Sequence, residues 1–300
     1  HRRPLLRLHR RRRLELLGRA RLSPRTRATA TSPRGIAPLA LLARLLLLSC
    51  ASLPGTVAAA EFPQTDWTAV LERFVDDGGR VDYAGLAADR GVFDRYLGSL
   101  AQESPDSTPA LFPTRADELA YWLNAYNALV IAGVLDRGVE TPSVWGDGLF
   151  GIGFFTAERA TLGGRRMSLK DLEDEQVRER FHDPRVHAAL NCASVGCPRL
   201  PRRAFAGATL QAELDAAMRE FVSDERNCRI DTAARTVWLS KIFDWFDDDF
   251  LDHERAGGAK TPTVIDYVNR YRAADQKIPA GLRVRFLDYD KRLNRQQPPG

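Results

Sequence analysis

The sequence predicts an α+β fold, a single domain of helices packed on a mostly antiparallel sheet. Two observations lead there: apolar residues spaced for helices dominate early while strand patterns come late, and few β-α-β alternations occur, which argues against a parallel sheet. Residues 61–300, about 240 in number, suit one domain of the larger single-core kind.

Taken in order, Asp66 to Phe74 and Tyr83 to Leu100 read as helices, joined by the turn Asp76-Asp77-Gly78-Gly79, where Gly supplies positive φ. Gln102 to Pro113 is a polar connection. Arg115 to Arg137 is the clearest helix, because Leu119, Trp122, Leu123, Tyr126, Leu129, Val130 and Val134 recur at three and four and Gly138 follows. Residues 141–156 form a Gly- and aromatic-rich loop around Trp145, of the kind that lines pockets. Ala157 to Met167 predicts a hairpin turning at Gly163-Gly164, and Ser168 with Asp171 caps a helix to about Phe181. Val186 to Leu190 reads as a short buried strand leading into a loop at 191–201. Thr209 to Val222 is an amphipathic helix, Arg229 to Ser240 a second hairpin, Lys241 to Phe250 and Pro262 to Arg272 helices, and Leu282 to Tyr289 a closing strand.

Charge separates the chain into two parts. The first 60 residues hold 13 of the 44 Lys and Arg and one of the 39 acids, which leaves residues 61–300 with 31 basic and 38 acidic side chains, a net charge of −7. A mildly acidic domain without a basic stripe gives no reason to expect a nucleic-acid partner. The basic flank ending at Arg44, the short apolar run Leu45 to Leu53 and the small residues Ala58 to Ala60 match a secretory signal cut after Ala60, so residues 1–60 are expected to be removed and the domain to be periplasmic or secreted. A rival reading takes Leu47-Leu48-Ser49-Cys50 as a lipobox that places a lipid anchor on Cys50. The run is too short for a transmembrane span, which needs roughly 20 apolar residues. The chain begins with His1 and its only methionines are Met167 and Met218, so residues 1–35 are read as lying upstream of the true start.

Three cysteines follow residue 60. The densest cluster of reactive types is His187-Ala-Ala-Leu-Asn-Cys192-Ala-Ser-Val-Gly-Cys197-Pro. A thiol becomes nucleophilic where a neighbouring His⁺ or a helix N-terminus favours the thiolate. His187 is the candidate base for Cys192, although five residues of extended strand span roughly 16 Å and contact demands a bend. Cys192 and Cys197 also have the spacing for a disulfide in an oxidising compartment. Metal ligation lacks a fourth ligand of standard spacing, and no metal is expected. Asn124 and Asn127 share a face of the long helix, where Asn is unfavourable without a job: either they hold a neighbouring loop, or they contact substrate, Asn127 as an oxyanion-hole donor. Lys241 and Asp244 stand at the end of a strand as binding candidates, with Trp145 from the aromatic loop, while Phe243, Trp245, Phe246 and Phe250 read as core and Asp247 to Asp249 as a solvated acidic turn.

Tyr121-Trp-Leu-Asn124-Ala-Tyr-Asn127-Ala-Leu, Leu162-Gly-Gly with Ser168-Leu, the His187 to Pro198 segment and Leu239-Ser-Lys241-Ile-Phe-x-Trp-Phe together resemble the domain of unknown function 547 family, from about Val81 to Leu287. The resemblance implies one continuous domain, exported in bacterial members, with a fold similar to the papain and transglutaminase group. In that group a Cys at a helix start faces a His on a strand, whereas here Cys192 follows His187 on one element. The family supplies no reaction.

The expectation is a thiol-dependent hydrolase or acyl transferase acting on an amide or thioester, with Cys192 as nucleophile, His187 as base and Asn127 or Asn124 as oxyanion donor. The alternative is a binding module for a peptide or thiol ligand such as glutathione, with Cys192 and Cys197 bridged. A redox relay through the two cysteines is a third reading. No cofactor motif is present: there is no G-x-G-x-x-G after a strand, no P-loop and no H-E-x-x-H.

Overall fold

The computed structural model describes residues 62–146, 148 and 151–297. The stretch read as an export signal, its expected cleavage point and Cys50 lie outside the described residues.

Helices α1 (Gln64–Phe74), α2 (Tyr83–Ala88) and α3 (Gly91–Gln102) pack around α4 (Arg115–Arg137). Where the apolar pattern predicted one helix over Tyr83 to Leu100, the chain breaks at Asp89-Arg90. The helix starts at Asp82, whose side chain accepts from the Gly85 N–H. The long helix has the predicted bounds because both ends are signalled locally. Thr114 and Asp117 close a reciprocal capping box at its start, and Gly138 ends it with φ of +103°. Its buried residues lie all round the helix, from Leu119 to Val134, so α4 runs through the core. Gly79, at φ +74°, lets the α1–α2 turn approach the Arg199-Leu200 backbone, where an added Cβ would stand 2.7 Å from the Leu200 nitrogen.

The predicted hairpin is present as β1 (Glu158–Leu162) and β2 (Arg165–Ser168), an antiparallel pair. Ser168 and Asp171 form the expected capping box, opening a continuous helical run over residues 169–181 whose centre, Leu172–Arg178, is wound as a π-helix. Helix α5 (Leu210–Ser223) leads to the antiparallel pair β3 (Cys228–Asp231) and β4 (Thr236–Leu239), then α6 (Asp247–Ala256) and α7 (Val264–Tyr271). Strand β5 (Arg283–Phe286) joins β4 in parallel, giving the sheet order β3-β4-β5. Helices therefore pack with two small sheets, antiparallel apart from the last pairing.

One element differs in kind. Val186 to Leu190 is no strand: Pro184–Ala188 is a 3-10 turn. Asp183-Pro184 explains it, since the Asp183 carboxylate accepts from the Arg185 N–H and proline at the first helical position supplies a helical φ. The short apolar run that suggested a strand is compatible with either winding.

The core has two apolar clusters, one around α1 to α4 and one formed by α5, α6, α7 and the β3-β4-β5 sheet. The 3-10 turn ties them together, with Val186 and Ala189 in the first and Ala188 in the second. Directly after it comes the cysteine loop.

Candidate functional site

The loop Ala189 to Pro198 is held by buried amides. Asn127 on α4 accepts the Asn191 N–H at 2.8 Å and donates to the Ala189 carbonyl at 3.0 Å. Asn191 in turn donates to the Pro198 carbonyl at 2.8 Å and accepts the Ala193 N–H at 2.9 Å, while Asn294 donates to its oxygen at 3.1 Å. From the C-terminal segment, the Arg292 and Asp290 carbonyls accept the Val195 and Gly196 N–H groups at 2.8 and 2.9 Å. Ala193 takes φ of +60°, a conformation that costs a non-glycine residue free energy and persists because these bonds over-determine it. Asn124 does the same work one turn earlier, accepting the Phe205 N–H and donating to its carbonyl. Both asparagines thus serve backbone rather than an open cleft.

This scaffold brings two free thiols together. The Cys192 and Cys197 sulfurs stand 2.6 Å apart, beyond disulfide bonding length of about 2.05 Å. The Cys192 N–H points at the Cys197 sulfur at 2.9 Å, and the Tyr289 hydroxyl lies 3.1 Å from each sulfur. Burial alone would raise the Cys197 pKa, but the hydrogen bonds from Cys192, from Tyr289 and from backbone hold it below the usual thiol value. Cys192 moves the other way, first because its proton is shared with Cys197 and then through burial. The pair therefore favours one proton between two sulfurs. Cys197 is buried, and Cys192 is partly exposed.

Aromatic rings lie beside the pair. The Trp145 indole N–H donates to the Ser194 hydroxyl at 2.8 Å, which stands 3.7 Å from the Cys192 sulfur. Trp145 lies 5.9 Å from Trp245 and 6.0 Å from Tyr289, and Trp245 and Tyr289 are 4.8 Å apart. All three rings are partly exposed.

Residues 112–222 match the family described as protein of unknown function, DUF547. Over that span the chain is similar to the DUF547 family. The matched span holds α4 with its two asparagines and the whole cysteine loop, whereas Trp245 and Tyr289 lie beyond it. No curated protein and no solved structure matches the chain.

His187 is placed apart from the thiol pair. Its Nε2 lies 2.8 Å from the Asp249 carboxylate, its ring stacks on Phe246 at 4.2 Å, and among the described residues no hydrogen bond joins it to Cys192. Burial lowers its pKa despite Asp249, so the imidazole is held neutral. Arg178 binds the same carboxylate at 2.7 Å. Asp249 is therefore the hub of a partly buried ion network rather than part of a solvated turn. Lys241 and Asp244 pair with each other at 2.7 Å on the short helix after β4, and neither bonds the thiols among the described residues. Their neighbour Trp245, read as core, is the residue of that segment that reaches the site. Tyr289 carried no local signal, since its partners are 92 and 97 residues away.

Tyr289→Phe tests the electrostatics of the pair. Losing the hydroxyl removes a hydrogen bond that favours the thiolate, so alkylation of the pair at pH 7 is expected to slow roughly 3- to 10-fold, about one hydrogen bond's worth. An unchanged rate would show that backbone donors suffice.

Proposed function

We propose that this domain is a thiol–disulfide exchange catalyst working outside the cytoplasm, with Cys192 as the exchanging thiol and Cys197 as the resolving one. The carrying observation is the 2.6 Å approach of two free sulfurs under one hydroxyl, one sulfur reachable and the other buried. In the reaction the shared proton shifts to Cys197 and the Cys192 thiolate attacks a substrate disulfide R–S–S–R′. The S–S bond breaks, a Cys192–S–S–R mixed disulfide forms, and R′–S⁻ takes the proton from Cys197. Cys197 thiolate then attacks the Cys192 sulfur and expels R–S⁻. The domain's dithiol loses two electrons and the substrate disulfide gains them. The Trp145, Trp245 and Tyr289 rings suit a small or peptide disulfide substrate that lies across them.

The acyl-transfer reading keeps Cys192 but lacks the helpers assigned to it, because His187 serves Asp249 and Asn124 and Asn127 serve loop backbone. The bridged binding module corresponds to the oxidised half of the same cycle.

Reduced protein titrated with 5,5′-dithiobis(2-nitrobenzoate) is expected to release two thionitrobenzoates from the pair in close succession and to lose two mass units. Cys197→Ser should stop after one release, with the mixed disulfide trapped on Cys192. Independent modification of the two thiols, with two stable adducts in the wild type, would refute exchange.

A further inference from the structure

Helix α5, the 3-10 turn and the stretches at 199–205 and 224–227 line a cavity of about 270 Å³ that includes neither thiol. Ala188, Phe205 and Phe221, all buried, supply its apolar wall. An apolar wall with a few placed polar groups is how ligand sites are built, and this volume lies just under the usual range of about 300–1,000 Å³. It suits a short stretch of chain rather than a large cofactor.

One polar group in that wall has no partner. Asn227 lines the cavity and is only 7% exposed. Its main chain is used: the N–H donates to the Asp224 carbonyl at 2.8 Å, and the carbonyl accepts the Ser240 N–H at 2.7 Å. Its side-chain amide makes no hydrogen bond among the described residues, whereas the buried Asn124, Asn127, Asn191 and Asn294 are all bonded. Nor is the amide sealed in. The fully enclosed side-chain polar atoms without a partner, among the described residues, are the Trp122 indole nitrogen and the Tyr267 hydroxyl. The Asn227 amide therefore opens on the cavity. Leaving an amide unpaired at such depth is costly, and a group from outside the chain can pair it.

Three other asparagines of this chain show what such an amide binds. Asn127 joins the Asn191 N–H and the Ala189 carbonyl, Asn124 takes the N–H and carbonyl of Phe205, and Asn269 takes those of Ile278. Each time the amide oxygen accepts a backbone N–H and the amide nitrogen donates to a backbone carbonyl, the pairing that a free stretch of peptide offers. Charge adds a second contact. Arg199, Arg202 and Arg226 in the lining are hydrogen-bonded to Glu220, Asp77 and Asp224. Arg203 makes no hydrogen bond among the described residues; its contact with Glu72 is 3.7 Å long and its side chain is 80% exposed. Its guanidinium can take a carboxylate.

We infer that this cavity is a peptide-binding site. The Asn227 amide pairs with one N–H and one carbonyl of the peptide backbone, an apolar side chain of the peptide lies against Phe205 and Phe221, and an acidic residue beside it reaches Arg203. The site is separate from the thiol pair and does not depend on exchange chemistry.

The test is selection of a cysteine-free random heptapeptide phage library on the whole chain, followed by fluorescence anisotropy with the enriched peptides made synthetically. These are expected to carry Asp or Glu beside an apolar residue, to bind Asn227→Ala about 10-fold or more weakly than the wild type, and to bind Arg203→Ala about 3-fold more weakly. Asn227→Ala removes no side-chain bond within the chain, so it should melt within about 2 °C of the wild type, where a structural role would lower melting. Ala216→Trp fills the cavity from an exposed position on α5 and should abolish binding; it decides the matter if Asn227→Ala fails to fold. No enriched peptide would mean that water alone meets the amide and would overturn the inference. Enriched peptides that bind the folded Asn227→Ala or Ala216→Trp protein as tightly as the wild type would overturn it too.

Discussion

Asp249→Ala is expected to cost about 3 kcal/mol of folding stability, the low end of the range for breaking a buried ion pair by removing one partner. The change leaves the Arg178 guanidinium, bound to that carboxylate at 2.7 and 3.1 Å, with only Asp174, and strips His187 of its Nε2 partner. The loss should depend on pH in a definite sense. Asp249 is held well below the usual carboxylate range: burial would raise it, but the hydrogen bonds from His187 and Arg178 outweigh burial. The folded protein thus binds that proton more weakly than the unfolded chain, so its contribution is fully present above about pH 4 and disappears as the pH falls below it. Urea unfolding of wild type and variant should accordingly differ by a constant amount from pH 5 to 8 and converge in acid. A difference under 1 kcal/mol at pH 7 would mean that the network is held by packing of Phe246 and Phe250 around His187 and contributes little of its own.

Asn127→Ala attacks the cysteine loop from the other side. It removes both hydrogen bonds that join α4 to the loop and leaves the Asn191 N–H and the Ala189 carbonyl buried without those partners. Each such group costs about 1–3 kcal/mol, so a destabilisation of about 2–4 kcal/mol is expected. The functional loss should be separable from the structural one. Because Ala193 sits at positive φ on the strength of these bonds, the loop should relax and the sulfurs separate. The second thionitrobenzoate release, which needs Cys197 against Cys192, should then slow at least 10-fold while the first is little changed. A variant as stable as the wild type, with both releases fast, would assign the loop's geometry to Asn191 and Asn294 alone.

Much of this arrangement could be read along the chain. Helix α4 was legible because its cap, its apolar spacing and its terminal glycine all lie within the helix or next to it. The β1-β2 hairpin and the Ser168 cap were legible for the same reason, and so was the importance of Asn127, since a buried Asn in an apolar helix demands a partner. The partner was not legible: whether the amide faces substrate or backbone depends on what packs 64 residues later. Pairing His187 with Cys192 failed on one local signal, Asp183-Pro184, which winds the segment into a 3-10 turn and lets His187 meet Asp249 instead.

What the sequence determined on its own was the set of elements whose causes are local, together with the reactive types gathered at His187 to Cys197 and the charge asymmetry between residues 1–60 and the rest. The tertiary structure alone decided which side chains meet the thiols. Tyr289 arrives from the segment after β5, and Trp145 and Trp245 come from segments that precede and follow the loop in the chain. Spacing within an element carries no information about these meetings. They are set by how two apolar clusters close against each other, and that closure minimises exposed area over the whole chain rather than over any window of it.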